Sequence, residues 1–281
     1  MIIDRLIDKI NQMNNPTVVG LDPQMEFVPK GMSVLEFNTK VIDAIYDIVP
    51  AIKLQIAFYE ALGLVGLEVY KQTIAYAKEK GMVVIADIKR GDIASTAQAY
   101  ANAHIGERGD FCADFATINP YMGSDTVKSW LDNCKIYGKG VFVLVKTSNA
   151  GSGDFQDLIV GDKPLYEVVA QRTAEWGADM VGNHGYSTVA AVVGATHPQQ
   201  LADLRAKLPH TFFLVPGYGV QGGTSADIRY AFDKKGGGAI INSSRGIITA
   251  HQNPEYEGLG FEEAIRDATL TMRNDLRSVL S

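Results

Sequence analysis

Short apolar runs alternate with longer stretches of helical periodicity from one end of the chain to the other. The runs at 17–22, 51–55, 82–87, 115–119, 141–147, 190–195, 212–216 and 239–242 predict strands. Between them, apolar positions recur at helical spacing over 34–47, 57–80, 93–107, 125–133, 165–176, 201–207 and 226–234. A further helix is expected before the first strand, where Ile2, Ile3, Leu6, Ile7 and Ile10 repeat at that spacing, and another over 261–280. Eight strand–helix units without a break in composition predict an α/β fold, a single (β/α)8 TIM barrel over 1–281 with an additional N-terminal helix. A doubly wound open sheet is the alternative, but it usually needs fewer strands. The longest irregular stretch, 149–163, follows the fifth strand, where a barrel would place a mobile lid.

Composition narrows the functions open to such a barrel. The chain has 281 residues, 46% hydrophobic and 21% charged, as an ordinary globular protein does. A net charge of −6 provides no global basic field, so neither nucleic acid nor an anionic membrane is an expected partner. No apolar run approaches the length of a membrane span, and the N-terminal segment lacks the uninterrupted apolar core of a signal peptide. Cys112 and Cys134 lie in unrelated segments without metal-type spacing, and the five histidines suggest no metal site. A reducing, cytoplasmic setting is expected. Trp130 and Trp176 fall on apolar helix faces and read as core.

The candidate chemistry lies at the strand ends, where barrels keep their active sites. Asp87 and Lys89 end a strand that reads as buried on both faces, and Asp92 follows directly. Residues two apart on a strand share a face, so Asp87 and Lys89 are expected to meet. Charges in such a place are costly unless paired, which favours function over a surface salt-bridge ladder. Lys53 lies between Ile52 and Leu54 and must also find a partner. Asp22 ends the first strand, as a functional carboxylate or as a turn cap. The segment 119–123 after the fourth strand reads equally well as a turn or as part of a site. Lys146, Thr147, Ser148 and Asn149 at the end of the fifth offer hydrogen-bonding groups suited to amide and carbonyl edges.

The last two strand ends suggest a phosphate site. Pro216, Gly217, Gly219, Gly222 and Gly223 belong to a glycine-rich loop expected to open a helix, and Ser244 and Arg245 end the eighth strand. Glycines let backbone N–H groups approach an anion, a helix N-terminus favours negative charge, and loops after strands seven and eight often hold phosphate in barrels.

The motifs over 86–97, 119–123, 147–149, 216–223 and 244–246, taken in order, closely resemble the orotidine 5'-phosphate decarboxylase family, in its longer bacterial subtype. The resemblance covers nearly the whole chain. It implies decarboxylation of orotidine 5'-phosphate to uridine 5'-phosphate and CO2 in pyrimidine biosynthesis, with no cofactor and no metal. It also implies residue roles. Asp22 would bind ribose hydroxyls. Lys53, Asp87, Lys89 and Asp92 would form an alternating charge network, with Lys89 as proton donor. Ser148 would bind the pyrimidine edge. Gln221 and Arg245 would hold the phosphate, with Pro216, Gly222 and Ser244 around it. Asp92 and Thr96 would complete the partner's site in a homodimer. Val220 is a mild departure, since the family pattern suggests a smaller residue there.

Two other functions compete. A Mg-dependent phosphosugar decarboxylase or synthase of the same superfamily would keep the Asp-x-Lys-x-x-Asp motif but needs acidic metal ligands, and the 147–149 group argues against it. A non-catalytic nucleotide-binding barrel would keep the phosphate loops alone, which the intact charges at Lys53, Asp87, Lys89 and Asp92 oppose.

Overall fold

An apolar run becomes an interior strand when both of its faces find cover, and a closed barrel covers both at once. In the computed structural model, which describes residues 1–219 and 222–280, eight parallel strands close into such a barrel. They are β1 Thr17–Leu21, β2 Ala51–Gln55, β3 Val83–Arg90, β4 Phe115–Ile118, β5 Gly140–Lys146, β6 Ser187–Val193, β7 Thr211–Val215 and β8 Ala239–Ser243. Closure runs through β1 and β8, with Thr17 opposite Ile241 and Val19 opposite Ser243. Around the barrel lie α1 Ile2–Met13, α2 Val34–Ile45, α3 Gly63–Glu79, α4 Ala94–Ile105, α5 Ser124–Tyr137, α6 Leu165–Trp176, α7 Pro198–Lys207 and α8 Phe261–Ser278. Among the described residues no helix is long and apolar enough to cross a membrane.

The two-residue period of the strands sorts side chains into two cores. The outward set packs under the helices and includes Val19, Leu54, Val84, Ala116 and Val143, joined in one cluster by Trp130 of α5. The inward set fills the lower barrel with Val18, Ala51, Val83, Phe115, Phe142 and Phe212, and the α1 side chains Ile2, Ile3, Leu6 and Ile7 join this cluster. The helix before the first strand is therefore the plug of the barrel floor. Higher up, the inward set changes character. Val18 gives way to Gly20 and Asp22, Ala51 to Lys53 and Gln55, Ile85 to Asp87, Phe115 to Thr117, and Ile240 to Asn242 and Ser244. On the opposite arc Leu144, Val192 and Leu214 stay apolar, and both arcs line one cavity. Gly20 is required here by close approach, since a Cβ would lie 1.9 Å from Ser244 Oγ.

Four segments differ from their expected form. The helical stretch 57–80 is broken into Ile56–Glu60 and α3, because Gly63 takes φ +68° and a Cβ on Gly66 would lie 2.0 Å from the Tyr59 carbonyl. β6 begins at Ser187 rather than at 190. The Ser187 hydroxyl donates to Gly177 O (2.9 Å) and accepts from Val189 N (3.0 Å), so a polar residue can start a buried strand. The stretch 226–234 is only a four-residue helix, Ser225–Ile228, followed by a 3₁₀ turn, Arg229–Ala231. Finally, 149–163 is not irregular. It folds into a 3₁₀ turn Ala150–Ser152, a short helix Gly153–Gln156, and a hairpin pairing Ile159–Val160 with Lys163–Pro164. Trp176 is half-buried against the outer core rather than inside it, and Cys112 is likewise only half-buried, whereas Cys134 is buried.

Candidate active site

At the C-terminal ends of the strands the barrel opens into a cavity of about 480 Å³, a size suited to a small ligand. Its polar arc carries a chain of alternating charges. Lys53, only 4% exposed, stands 3.6 Å from Asp22 Oδ1 and 3.0 Å from Asp87 Oδ2. The other oxygen of Asp87 accepts from Lys89 Nζ at 2.6 Å. Asp22 also accepts the backbone N–H of Gln55, at the end of β2, at 3.3 Å, so it acts as an ionic partner that braces the neighbouring strand end. Burial opposes charge on Asp87, yet the adjacent Lys53 and Lys89 ammonium groups override it and hold the carboxyl down at about 2. Burial likewise works against the Lys53 ammonium, and Asp22 and Asp87 more than offset it, raising its pKa above the ordinary lysine value. The two buried groups therefore keep each other ionised.

Lys89 differs from Lys53 in access. Its side chain is 44% exposed, at the mouth of the cavity. The regular strand period does not bring it there. β3 pairs with β4 at Ala86–Ala116 and next at Arg90–Ile118, so β3 carries a bulge between these points. Within it Lys89 adopts φ +48°, and Asp92 and Ala94 follow at +101° and +45°. Such backbone costs on the order of 1–3 kcal/mol per residue and persists only where its surroundings hold it. Thr117 does much of this holding. Its hydroxyl accepts from the N–H groups of Ile88 (3.0 Å) and Lys89 (2.9 Å) and donates to Asp87 Oδ1 (3.0 Å). Thr117 was not among the residues expected in the site. Its signal was a hydroxyl inside the apolar run 115–118, which must find a partner when buried.

On the far side, the strand end 146–149 is gripped by the folded segment that follows it. Lys146 is fully buried and pairs with Asp157 at 2.8 Å, with Ser152 Oγ at 3.3 Å. Gln156 accepts from Thr147 N (2.9 Å) and donates to Thr147 Oγ1 (2.8 Å). Thr147, Ser148 and Asn149 all line the cavity. Lys146 was visible in sequence only as one polar residue among four; its burial is what marks it as the anchor.

The third side joins Pro216, Gly217 and Tyr218 after β7 to Ser244, Arg245 and Gly246 after β8. Arg245 has no carboxylate partner among the described residues. The expected helix dipole contributes little here: the helices that follow have four residues each, and the first is capped by its own Thr224–Asp227 box. Anion affinity would rest on the guanidinium, the Ser244 hydroxyl and loop N–H groups.

The cavity thus brings together Asp22, Lys53, Asp87, Lys89, Ser148, Pro216, Ser244 and Arg245. Asp92, Thr96 and Gly222 are not among its lining residues. Asp92 is turned onto its own loop, where Oδ1 accepts from Ile93 N at 2.8 Å, and Thr96 is exposed on the first turn of α4. Gln221 and Val220 lie outside the described residues. Asn119 is a turn former, accepting from Tyr121 N at 3.0 Å.

An eight-stranded barrel with a buried lysine–carboxylate relay at its strand ends has the layout of a barrel enzyme. The chain belongs to the orotidine 5'-phosphate decarboxylase / HUMPS family, whose sequence profile matches residues 16–259. It is 43% identical over 290 residues to the orotidine 5'-phosphate decarboxylase of Clostridium perfringens (strain SM101 / Type A), with 100% of this chain and 99% of that protein covered. The solved structure of Leishmania donovani OMP decarboxylase matches with a TM-score of 0.82 at 32% identity, covering 99% of this chain and 98% of that one.

Proposed function

We propose that this chain, acting over 1–281 as one catalytic unit, decarboxylates orotidine 5'-phosphate to uridine 5'-phosphate and CO2 in pyrimidine biosynthesis. The observation that carries this reading is the relay Asp22–Lys53–Asp87–Lys89, buried at one end and open to the cavity at Lys89. When the C6–carboxylate bond breaks, CO2 departs and the electron pair stays on C6, in the ring plane and outside the π system. An ammonium beside that position stabilises the developing charge and then supplies the proton that replaces CO2. Lys89 is suited to both tasks. The ionised Asp87 pairs with its ammonium at 2.6 Å and fixes its position, and Lys53 keeps Asp87 charged. The scheme uses no cofactor and no metal. Asp22 and Lys53 would face the ribose and Ser148 the pyrimidine edge, with Leu144, Val192 and Leu214 as the apolar wall.

Ser244, Arg245 and the 216–218 segment would hold the phosphate, with Gly222 and Gln221 as further candidates. Gripping this remote group puts binding energy into closing and ordering the site. Arg245→Ala is therefore expected to raise KM for orotidine 5'-phosphate strongly, with an added loss in kcat if closure suffers. Orotidine, which lacks the phosphate, should be far less sensitive, and equal losses on both substrates would place Arg245 elsewhere.

The assembly follows from the two residues that the cavity leaves out. Asp92 and Thr96 sit on the β3–α4 loop and first turn, beside exposed Ile93. The first turn of α3, after β2, exposes Leu64 and Val65, and the loop after β4 exposes Tyr121 and Met122. We read this arc as a homodimer face from which Asp92 and Thr96 reach the partner's site. No nucleic-acid or membrane partner is proposed, and the cytoplasm is the proposed setting.

The direct test follows the absorbance of orotidine 5'-phosphate with purified protein, without added metal and again with EDTA. Equal loss of substrate in both is the expected result. Activity abolished by EDTA would favour the metal-dependent phosphosugar alternative, and binding without turnover a nucleotide-binding barrel.

A further inference from the structure

In the glycine-rich segment after β7, residues 217–219 and 222–223 bond to each other. Gly219 N donates to Gly223 O (2.8 Å), Gly222 N to Gly219 O (2.7 Å) and Gly223 N to Gly217 O (3.1 Å). Tyr218 and Gly223 also form an isolated bridge. The two feet of the loop are therefore hydrogen-bonded to each other, with Gly217, Gly219 and Gly222 at φ +104°, +75° and +95°. Feet built on left-handed glycines have little of their own to fix their angle against the barrel.

What fixes the angle comes from outside the cavity. The Tyr218 hydroxyl, on the first foot, donates to Oδ2 of Asp275. The Ser225 hydroxyl, just past the second foot, donates to Oδ1 of the same carboxylate at 2.9 Å. Asp275 belongs to α8 and does not line the cavity, whereas Tyr218 does. Asp275 makes no ion pair among the described residues, so its side-chain oxygens are committed to the two flanks of this loop. Hydrogen bonds to an ionised carboxylate are roughly twice as strong as neutral ones. One carboxylate on the C-terminal helix thus ties down both ends of the flap.

We propose that Asp275 is a positioning residue that holds the Gly217–Tyr218 wall at the angle needed to meet a phosphate opposite Ser244 and Arg245. The C-terminal helix thereby sets the preference for phosphorylated over unphosphorylated nucleosides. This rests on the phosphate reading above and goes beyond it by naming a residue that never touches the ligand.

The test compares kcat/KM on orotidine 5'-phosphate and on orotidine, the latter at high enzyme concentration, with melting temperature as a control for folding. Asp275→Ala is expected to lose on the order of tenfold on the phosphorylated substrate, about 1.4 kcal/mol, and less than about twofold on orotidine. Asp275→Asn keeps one acceptor and should recover part of the loss. Ser225→Ala removes one tie only and should shift the ratio in the same direction by about threefold; it decides the matter if Asp275→Ala fails to fold. Proportional losses on both substrates, or no loss on either, would overturn the proposal. A wild-type protein inactive on orotidine 5'-phosphate would instead remove the functional reading beneath it.

Discussion

Lys89→Ala is expected to lose ~10²–10⁴-fold in kcat from the missing proton donor alone, and more from the missing charge beside C6. The fold should survive the change. The Lys89 side chain is 44% exposed, so truncating it opens no cavity in the core. Alanine at φ +48° meets much the same backbone cost as lysine, because both carry a Cβ. Asp87 would retain Lys53 at 3.0 Å and stay paired. A melting curve close to that of the wild type, together with single-turnover kinetics, would separate lost chemistry from lost structure. If the variant kept more than about a tenth of kcat, less than roughly 1.4 kcal/mol of the barrier would depend on Lys89, and the proton donor would have to be sought elsewhere.

The barrel was legible because its strands are local. Each is a short apolar run punctuated by turn residues, and eight of them separated by helical periods leave few other architectures. The inward gradient from oil to charge could also be read in part. Lys53 and Asp87 had to be paired, since neither can be buried alone, and they are. The meeting of Asp87 with Lys89 was expected from strand alternation, and the contact exists for a different reason. A bulge and a left-handed residue deliver Lys89 to Asp87, held by a threonine on the neighbouring strand. Bulges of this kind depend on pairing with another strand, which a single run of residues does not reveal. Thr117 and Asp275 were overlooked for the same reason: each acts across a long sequence separation. Lys146 looked like one more polar residue near a loop, because its burial is created by Ser152 and Asp157 folding back over it. The expected helix after the glycine-rich loop shrank to four residues because the chain tightens into a 3₁₀ turn at Arg229–Ala231 and becomes extended at Phe232.

The placement of Asp92 leads to the other large effect. In one chain its carboxylate caps its own loop and does not line the cavity, although the family pattern puts it in the charge network. A two-fold dimer resolves this if the β3–α4 loop crosses to the neighbour, because such an interface sets the same patch against itself and each chain completes the other's site. Lys89→Ala and Asp92→Ala would each be inactive alone, yet their lesions would fall on opposite sides of the shared site. In a mixed dimer one site collects both lesions and the other collects neither. Random reassortment places half of the dimers in the mixed form, so an equimolar mixture should recover roughly a quarter of wild-type sites. Brief unfolding and refolding of the two variants together ensures exchange, and differently tagged chains allow the mixed dimer to be isolated and assayed. Thr96, one turn further along α4, is expected to behave like Asp92 when paired with Lys89→Ala, though with a smaller initial loss because it carries no charge. Isolated mixed dimers no more active than the two parents would put Asp92 in the site of its own chain, and the loop would then have to rearrange within one subunit to bring it there.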